Sequence, residues 1–135
     1  MSDQTNKPVA MPYGSPALRV MPMPADANQY GDIFGGWIMS QVDIAGATVA
    51  MRRARGRVAT VSVNSFVFNQ PVSVGDVVSF FAEVVETGRT SIKVSVEVYA
   101  VRHPAQPITV KVTAATLTYV AINQQGLKRE LTSAE

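Results

Sequence analysis

The chain has 135 residues, 47% of them apolar and only 16% charged, with a formal net charge of +2 and no cysteine. That length suits a single domain with a real core, and the missing cysteines exclude disulfides, thiolate metal sites and a cysteine nucleophile. The charge is too weak to argue for nucleic acid, and no apolar run approaches transmembrane length.

Residues 1–17 are polar and are broken by Pro8, Pro12, Gly14 and Pro16, which predicts a mobile tail and neither a signal peptide nor a membrane anchor. A cytoplasmic enzyme or binding protein is expected, with residues 18–135 as its one domain. Leu18 to Met21 reads as a short strand stopped by Pro22 and Pro24, and Ala25 to Gly35 as a loop. A helix starts at Gly35 or Gly36, and Gly56 is placed to stop it. From Trp37 to Met51 its polar side chains are Ser40, Gln41, Asp43 and Thr48 alone, so the helix is apolar on nearly every side and is predicted to be buried. Arg52, Arg53, Arg55 and Arg57 follow, where cations suit the negative end of the helix dipole.

Everything beyond Arg57 reads as strand. The segments are 58–69, closed by Pro71, then 77–86, 90–102 and 108–122. In the third of these, Ile92, Val94, Val96, Val98 and Ala100 alternate with Ser91, Lys93, Ser95 and Glu97. Glu86-Thr87-Gly88-Arg89 is a tight hairpin connection. Long antiparallel strands with one apolar face need a cover, and the helix is the candidate. The fold class is therefore α+β, a curved antiparallel sheet wrapped around one long central helix. Its exposed edges, together with the low charge content, point to edge pairing in a homodimer.

The chemical motifs begin with absences. The sequence has no Gly-x-Ser-x-Gly elbow, no phosphate-binding loop of the Gly-Lys-Ser/Thr type and no dinucleotide fingerprint. His103 is the one histidine and precedes Pro104 in a turn, which gives little support to a Ser-His pair or a histidine metal site. Gly35 and Gly36 have two readings. They let the helix start sit close to a neighbour, or they bare backbone N–H groups that bind developing negative charge. Asp43 likewise either fixes helix packing or acts as a general base on water. Gly36 and Asp43 are seven residues apart, so they share a helix face about 10 Å apart. That is too far for both to act on one carbonyl, and cooperation would need a second subunit. Asn28 is a turn former or a further polar contact. Gly88 to Lys93 brings Arg89, Thr90, Ser91 and Lys93 together, as a solvated hairpin or as a seat for a phosphorylated ligand.

Met23-Pro24-Ala25-Asp26-Ala27-Asn28, followed by Gly31-Asp32-Ile33-Phe34-Gly35-Gly36-Trp37-Ile38-Met39-Ser40-Gln41-Val42-Asp43, resembles the signature of the bacterial YciA-type acyl-CoA thioesterases, relatives of the mammalian cytosolic acyl-CoA hydrolases. The likeness continues through Gly56-Arg57-Val58, Pro71 to Val78 and Gly88 to Lys93, and covers roughly residues 18 to 131. The resemblance implies the hot-dog fold and hydrolysis of short- to medium-chain, sometimes longer, acyl-CoA to free acid and CoA, with no metal and no cofactor. It implies hexamers built from three dimers, with Asp43 as base or nucleophile and Asn28 working with it from the opposite subunit. Gly35 or Gly36 would polarise the thioester carbonyl. Arg89, Thr90, Ser91 and Lys93, with Arg57, would meet the CoA phosphates. The rivals are a non-catalytic acyl-CoA or nucleotide-binding module on the same fold, and a hot-dog hydroxyacyl dehydratase, which relies on a histidine with an acid.

Overall fold

The computed structural model describes residues 9–103 and 105–133. In it the run of small residues Ala45, Gly46, Ala50 and Ala54, with Ile38 and Val42, forms the buried stripe of helix α1 (Gly35–Ala54). Small side chains let the helix lie close on the sheet that covers it. The sheet has five antiparallel strands: β1 (Leu18–Val20), β2 (Val58–Phe68), β3 (Val77–Thr87), β4 (Ser91–Arg102) and β5 (Ile108–Ala121), in the order β1-β3-β4-β5-β2. The sheet is not closed. This is the expected hot-dog arrangement of one long helix against an open antiparallel sheet.

The alternation read in β4 is the alternation observed. Ile92, Val94, Val96, Val98 and Ala100 are fully buried and join Phe80, Leu117 and Tyr119 in one core under the helix. Ser91, Lys93, Ser95 and Glu97 occupy the other, partly exposed face. The β3–β4 hairpin closes with the Gly88 N–H donating to the Ser91 carbonyl at 2.9 Å.

Two expectations about the helix change. It is not buried all round: Met39, Ile44 and Met51 are exposed, Ile44 by 52%. An apolar helix face left open by its own chain is an interface signal. The stop is also built differently. Arg55, not Gly56, takes the left-handed conformation, with φ at 56°. The guanidinium of Arg129 donates to the Ala54 carbonyl at 2.6 Å, and a Cβ on Gly56 would lie 2.8 Å from that same nitrogen. Gly56 is small so that Arg129 can cap the helix.

The outer edge of β2 pairs with no described strand, and Val61, Val63, Val67 and Phe68 along it are exposed. The predicted tail falls partly on residues 1–8, outside the described residues. Residues 9–17 form no helix or strand, and are tied by Val9 N–H to Thr109 O (2.9 Å) and Ala17 N–H to Phe80 O (2.8 Å).

The turn from Pro71 to Asp76 is held by a buried acid. One carboxylate oxygen of Asp76 accepts from Ser73 N–H at 3.0 Å and from Arg102 Nε at 3.0 Å, and Arg102 also donates to the Pro71 carbonyl. Breaking a buried, hydrogen-bonded ion pair strands the remaining charge. Asp76→Ala is expected to cost about 2–4 kcal/mol in urea unfolding, and a loss below about 0.5 kcal/mol would show that this clamp is dispensable.

Candidate active site

The loop before the helix is a chain of self-closing turns. Asp26 accepts from the Met23 N–H at 2.9 Å. Asn28 Oδ1 accepts from Tyr30 N–H (2.8 Å) and Asp32 N–H (3.1 Å). Asn28 therefore performs the turn-forming role, while its side-chain amide nitrogen donates to no described residue. Ile33 N–H donates to Val72 O at 2.8 Å, and Phe34 N–H to Asp26 O at 3.2 Å, which aims the start of α1 at the Pro71–Asp76 turn.

That start has no side-chain cap. Trp37 and Ile38 donate back to Phe34 O, but the N–H groups of Gly35 and Gly36 meet no acceptor among the described residues. The first N–H groups of a helix also carry the positive end of its dipole. Beside them lies an open cleft of about 300 Å³ lined mainly by apolar side chains, among them Ile33, Ile38, Phe68, Pro71 and Val72. The two glycines differ. A Cβ on Gly35 would press to 3.1 Å on the Phe68 ring, whereas at Gly36 it would meet only open space. Gly35 is a packing glycine, and Gly36 presents its backbone to solvent.

Asp43 lies two turns further along, half-buried rather than enclosed. Thr60 Oγ1 donates to its Oδ1 at 2.8 Å. Tyr119 OH lies 3.0 Å from that same Oδ1 and 3.0 Å from the Asp43 backbone carbonyl. Oδ2 meets no described donor. Burial, and then the nearby Asp43 carboxylate, pushes the Tyr119 phenol far above its ordinary range, so it remains a donor at working pH. The sequence reading missed both Thr60 and Tyr119, since neither belongs to a motif. The available signal was Gly46, a helix-interior glycine that costs about 1 kcal/mol against alanine and so implies a close neighbour. That neighbour is Tyr119, whose ring and hydroxyl occupy the space a Cβ at Gly46 would need.

Within one chain, Asn28 does not reach Asp43, and the helix start and Asp43 remain two separate groups. The cations lie around the β3–β4 hairpin, at the end of the sheet where Thr60 and Ile92 flank Tyr119. Arg89 pairs with Glu130 at 2.8 Å and Lys93 with Glu86 at 3.5 Å, both exposed. Arg57 donates to the carbonyls of Asn123 (3.3 Å) and Gln124 (3.1 Å). Register places Arg57 beside the hairpin, since Val58 pairs with Ala121 and Ser91 with Val120. The Thr90 carbonyl accepts from Ala121 N–H at 2.9 Å. His103 is exposed in the β4–β5 turn, in a cleft with Ser73, Asp76 and Arg102, away from Asp43. Among the described residues no cluster of His, Asp or Glu could hold a metal ion, and no helix is long and apolar enough to cross a membrane.

A family model described as the thioesterase superfamily matches residues 30–104, from the loop before the helix through Asp43 and Thr60 to the end of β4. The chain belongs to the thioesterase superfamily. Within that superfamily it is similar to the acyl-CoA thioester hydrolase YciA of Escherichia coli, at 46% identity over 123 residues, 90% of this chain and 93% of the relative. It is also similar to a hexameric hotdog-fold thioesterase of Campylobacter jejuni (TM-score 0.84, 43% identity, covering 88% of this chain and 91% of that one). A third likeness is to a hexameric broad-specificity acyl-coenzyme A thioesterase (TM-score 0.84, 44% identity, covering 92% and 85%). The superfamily match includes Gly35, Gly36, Asp43 and the hairpin cations, whereas Asn28 and Tyr119 lie outside it.

Proposed function

We propose that this protein hydrolyses the thioester of acyl-CoA to a free acid and CoA, at a site completed by a second copy of the chain. The observation that carries this reading is the pair of unpartnered helix-start amides beside an apolar cleft, with a carboxylate oxygen left free on the same helix. Preorganised N–H donors stabilise a developing oxyanion strongly, and the cleft suits an acyl chain. Two turns of helix separate the halves, so Asp43 of one subunit serves the helix start of its partner. The open β2 edge and the exposed Met39, Ile44 and Met51 provide surface for that pairing. The hexameric relatives support an assembly of three such dimers. The reading places the enzyme in the cytoplasm.

In the general-base route Asp43 Oδ2 takes a proton from water. The water oxygen bonds to the thioester carbon, and the carbonyl electrons move onto the oxygen held by the amides of Gly36 and Gly35. Collapse of that intermediate breaks the C–S bond, and the leaving thiolate takes the proton from Asp43. In the alternative route Oδ2 attacks the carbonyl carbon and the C–S bond breaks to release the thiolate. Water then adds to Cγ of the resulting anhydride, freeing the acid and giving the thiolate its proton. A single turnover in oxygen-18 water separates them, since label in Asp43 requires the second. Asn28 of the opposite subunit, with its free amide nitrogen, holds the water or the carbonyl. Thiol release from a series of acyl-CoA chain lengths tests the proposal: steady release supports it, and binding of CoA without release sinks it.

The CoA phosphates are assigned to Arg89, Thr90, Ser91, Lys93 and Arg57. The existing ion pairs of Arg89 and Lys93 are exposed, and such pairs contribute little, so exchange for a phosphate is favourable. The double substitution Arg89→Ala, Lys93→Ala is expected to raise KM for acyl-CoA about 10-fold and leave kcat within about two-fold. The effect should vanish with an acyl-pantetheine substrate, which lacks those phosphates. Equal effects on both substrates would refute the assignment.

A further inference from the structure

The reading of Asp43 as the reacting carboxylate leaves one buried group unused, and the inference that follows rests on that reading. Tyr119 is fully buried on β5, in the space left by Gly46, with its hydroxyl 3.0 Å from both the Oδ1 and the backbone carbonyl of Asp43. A phenol carries one hydrogen, so it can serve only one of these two acceptors fully at a time. We infer that Tyr119 is a positioning residue for Asp43, whose hydroxyl hydrogen points to Oδ1 while the carboxylate is charged and turns to the backbone carbonyl when the carboxyl takes up a proton, leaving Oδ2 as the oxygen that reacts.

The argument is one of acceptor strength. A carboxylate oxygen is the stronger acceptor, since hydrogen bonds to ionised groups are shorter and roughly twice as strong as neutral ones. Once Oδ2 is protonated that advantage falls, and the carbonyl of the same residue lies at an equal distance. Because a second acceptor stands ready, the hydroxyl is not left unsatisfied in the core when the carboxyl becomes neutral, the state in which a buried polar group is costly. Thr60 Oγ1 donates to Oδ1 at 2.8 Å, and a proton added to Oδ2 leaves Oδ1 an acceptor for it. With both donors on Oδ1, the carboxylate cannot rotate without breaking two bonds, so Oδ2 stays presented.

The surroundings contain little else that titrates. Asp43 is the one ionisable residue from Gly35 to Met51, and β2 from Val58 to Phe68 has none. From β4, Ile92 lies opposite Tyr119, while Lys93 and Glu97 stand on the other face, where Glu97 pairs with Lys111 of β5. Of the acids on β3, Glu86 pairs with Lys93, and Glu83 lines a cleft with Arg52, Arg53 and Arg55 at the far end of the helix. Arg19 on β1 is bonded to Ser79.

Tyr119→Phe tests this, because it removes the hydroxyl, keeps the ring under Gly46 and leaves Oδ1 bonded to Thr60. A donor to the charged form favours that form, so without it the carboxyl needs a higher pH to ionise. The acid limb of kcat/KM against pH is expected to move up by about one pH unit, with kcat on the high-pH plateau within about three-fold of wild type and KM little changed. Aspartate labelled with carbon-13 at Cγ, with the Asp43 signal assigned through Asp43→Asn, should show its titration midpoint move the same way. A purely structural role predicts an equal loss at every pH and an unmoved midpoint, and that result overturns the inference. The carbon-13 titration needs no turnover. If the wild-type protein releases no thiol, the proposed function fails while the relation of Tyr119 to Asp43 is still decided.

Discussion

Replacing Asp43 with alanine is expected to lower kcat for thiol release from acyl-CoA by about 10³-fold, the scale of a lost general base, while CoA binds within about three-fold of wild type. The local structure supports this separation of chemistry from folding. Asp43 is half-buried and its partners are two hydroxyls. In the alanine variant Tyr119 retains the backbone carbonyl as acceptor, and Thr60 is exposed to water. No charge is left stranded, so the variant should fold, and the thermal midpoint provides that control. Activity near wild type would remove Asp43 from the chemistry and return it to a packing role.

The second large effect concerns a group without a side chain. Gly36→Pro deletes one backbone N–H at the helix start and should lower kcat by about 10²–10³-fold, the measured scale for one oxyanion donor. Proline is tolerated in the first turn of a helix, where the N–H has no intrahelical partner, and a Cβ at Gly36 meets open space. Gly36→Ala, which keeps the N–H, should stay within a few-fold of wild type. The same change at Gly35 is a different experiment, because its Cβ would press on Phe68 at 3.1 Å and any loss would mix packing with chemistry. If Gly36→Pro and Gly36→Ala behave alike, the amide plays no part.

Much of this architecture was legible in the chain. The four long strands fall within a few residues of their expected bounds, because period-two alternation and turn residues mark them directly. The helix and its start were legible for the same local reason. The left-handed stop at Arg55 was not, since it depends on Arg129 arriving from beyond β5 to cap Ala54. The same limit applies around Asp43. Its place in an apolar helix drew notice, but Thr60 and Tyr119 join it from strands 17 and 76 residues away, and no local pattern reports such a meeting. Conversely, the two-subunit argument needed only the rise of a helix, and the observed α1 from Gly35 to Ala54 keeps Gly36 and Asp43 two turns apart. Asn28 illustrates an overlap the residues alone could not sort: its oxygen builds the turn while its amide nitrogen remains for a second task.

That division of one site between two copies is the central claim, and subunit mixing tests it directly. Asp43→Ala and Gly36→Pro chains, each nearly inactive alone, would be unfolded together and refolded as an equal mixture. If Asp43 of one chain serves the helix start of its two-fold partner, half of the dimers are mixed and each of these has one intact site, so the mixture should recover about a quarter of wild-type activity. Activity no higher than that of the parent variants, with mixed dimers verified by mass spectrometry, would place both groups on the same chain and contradict the account.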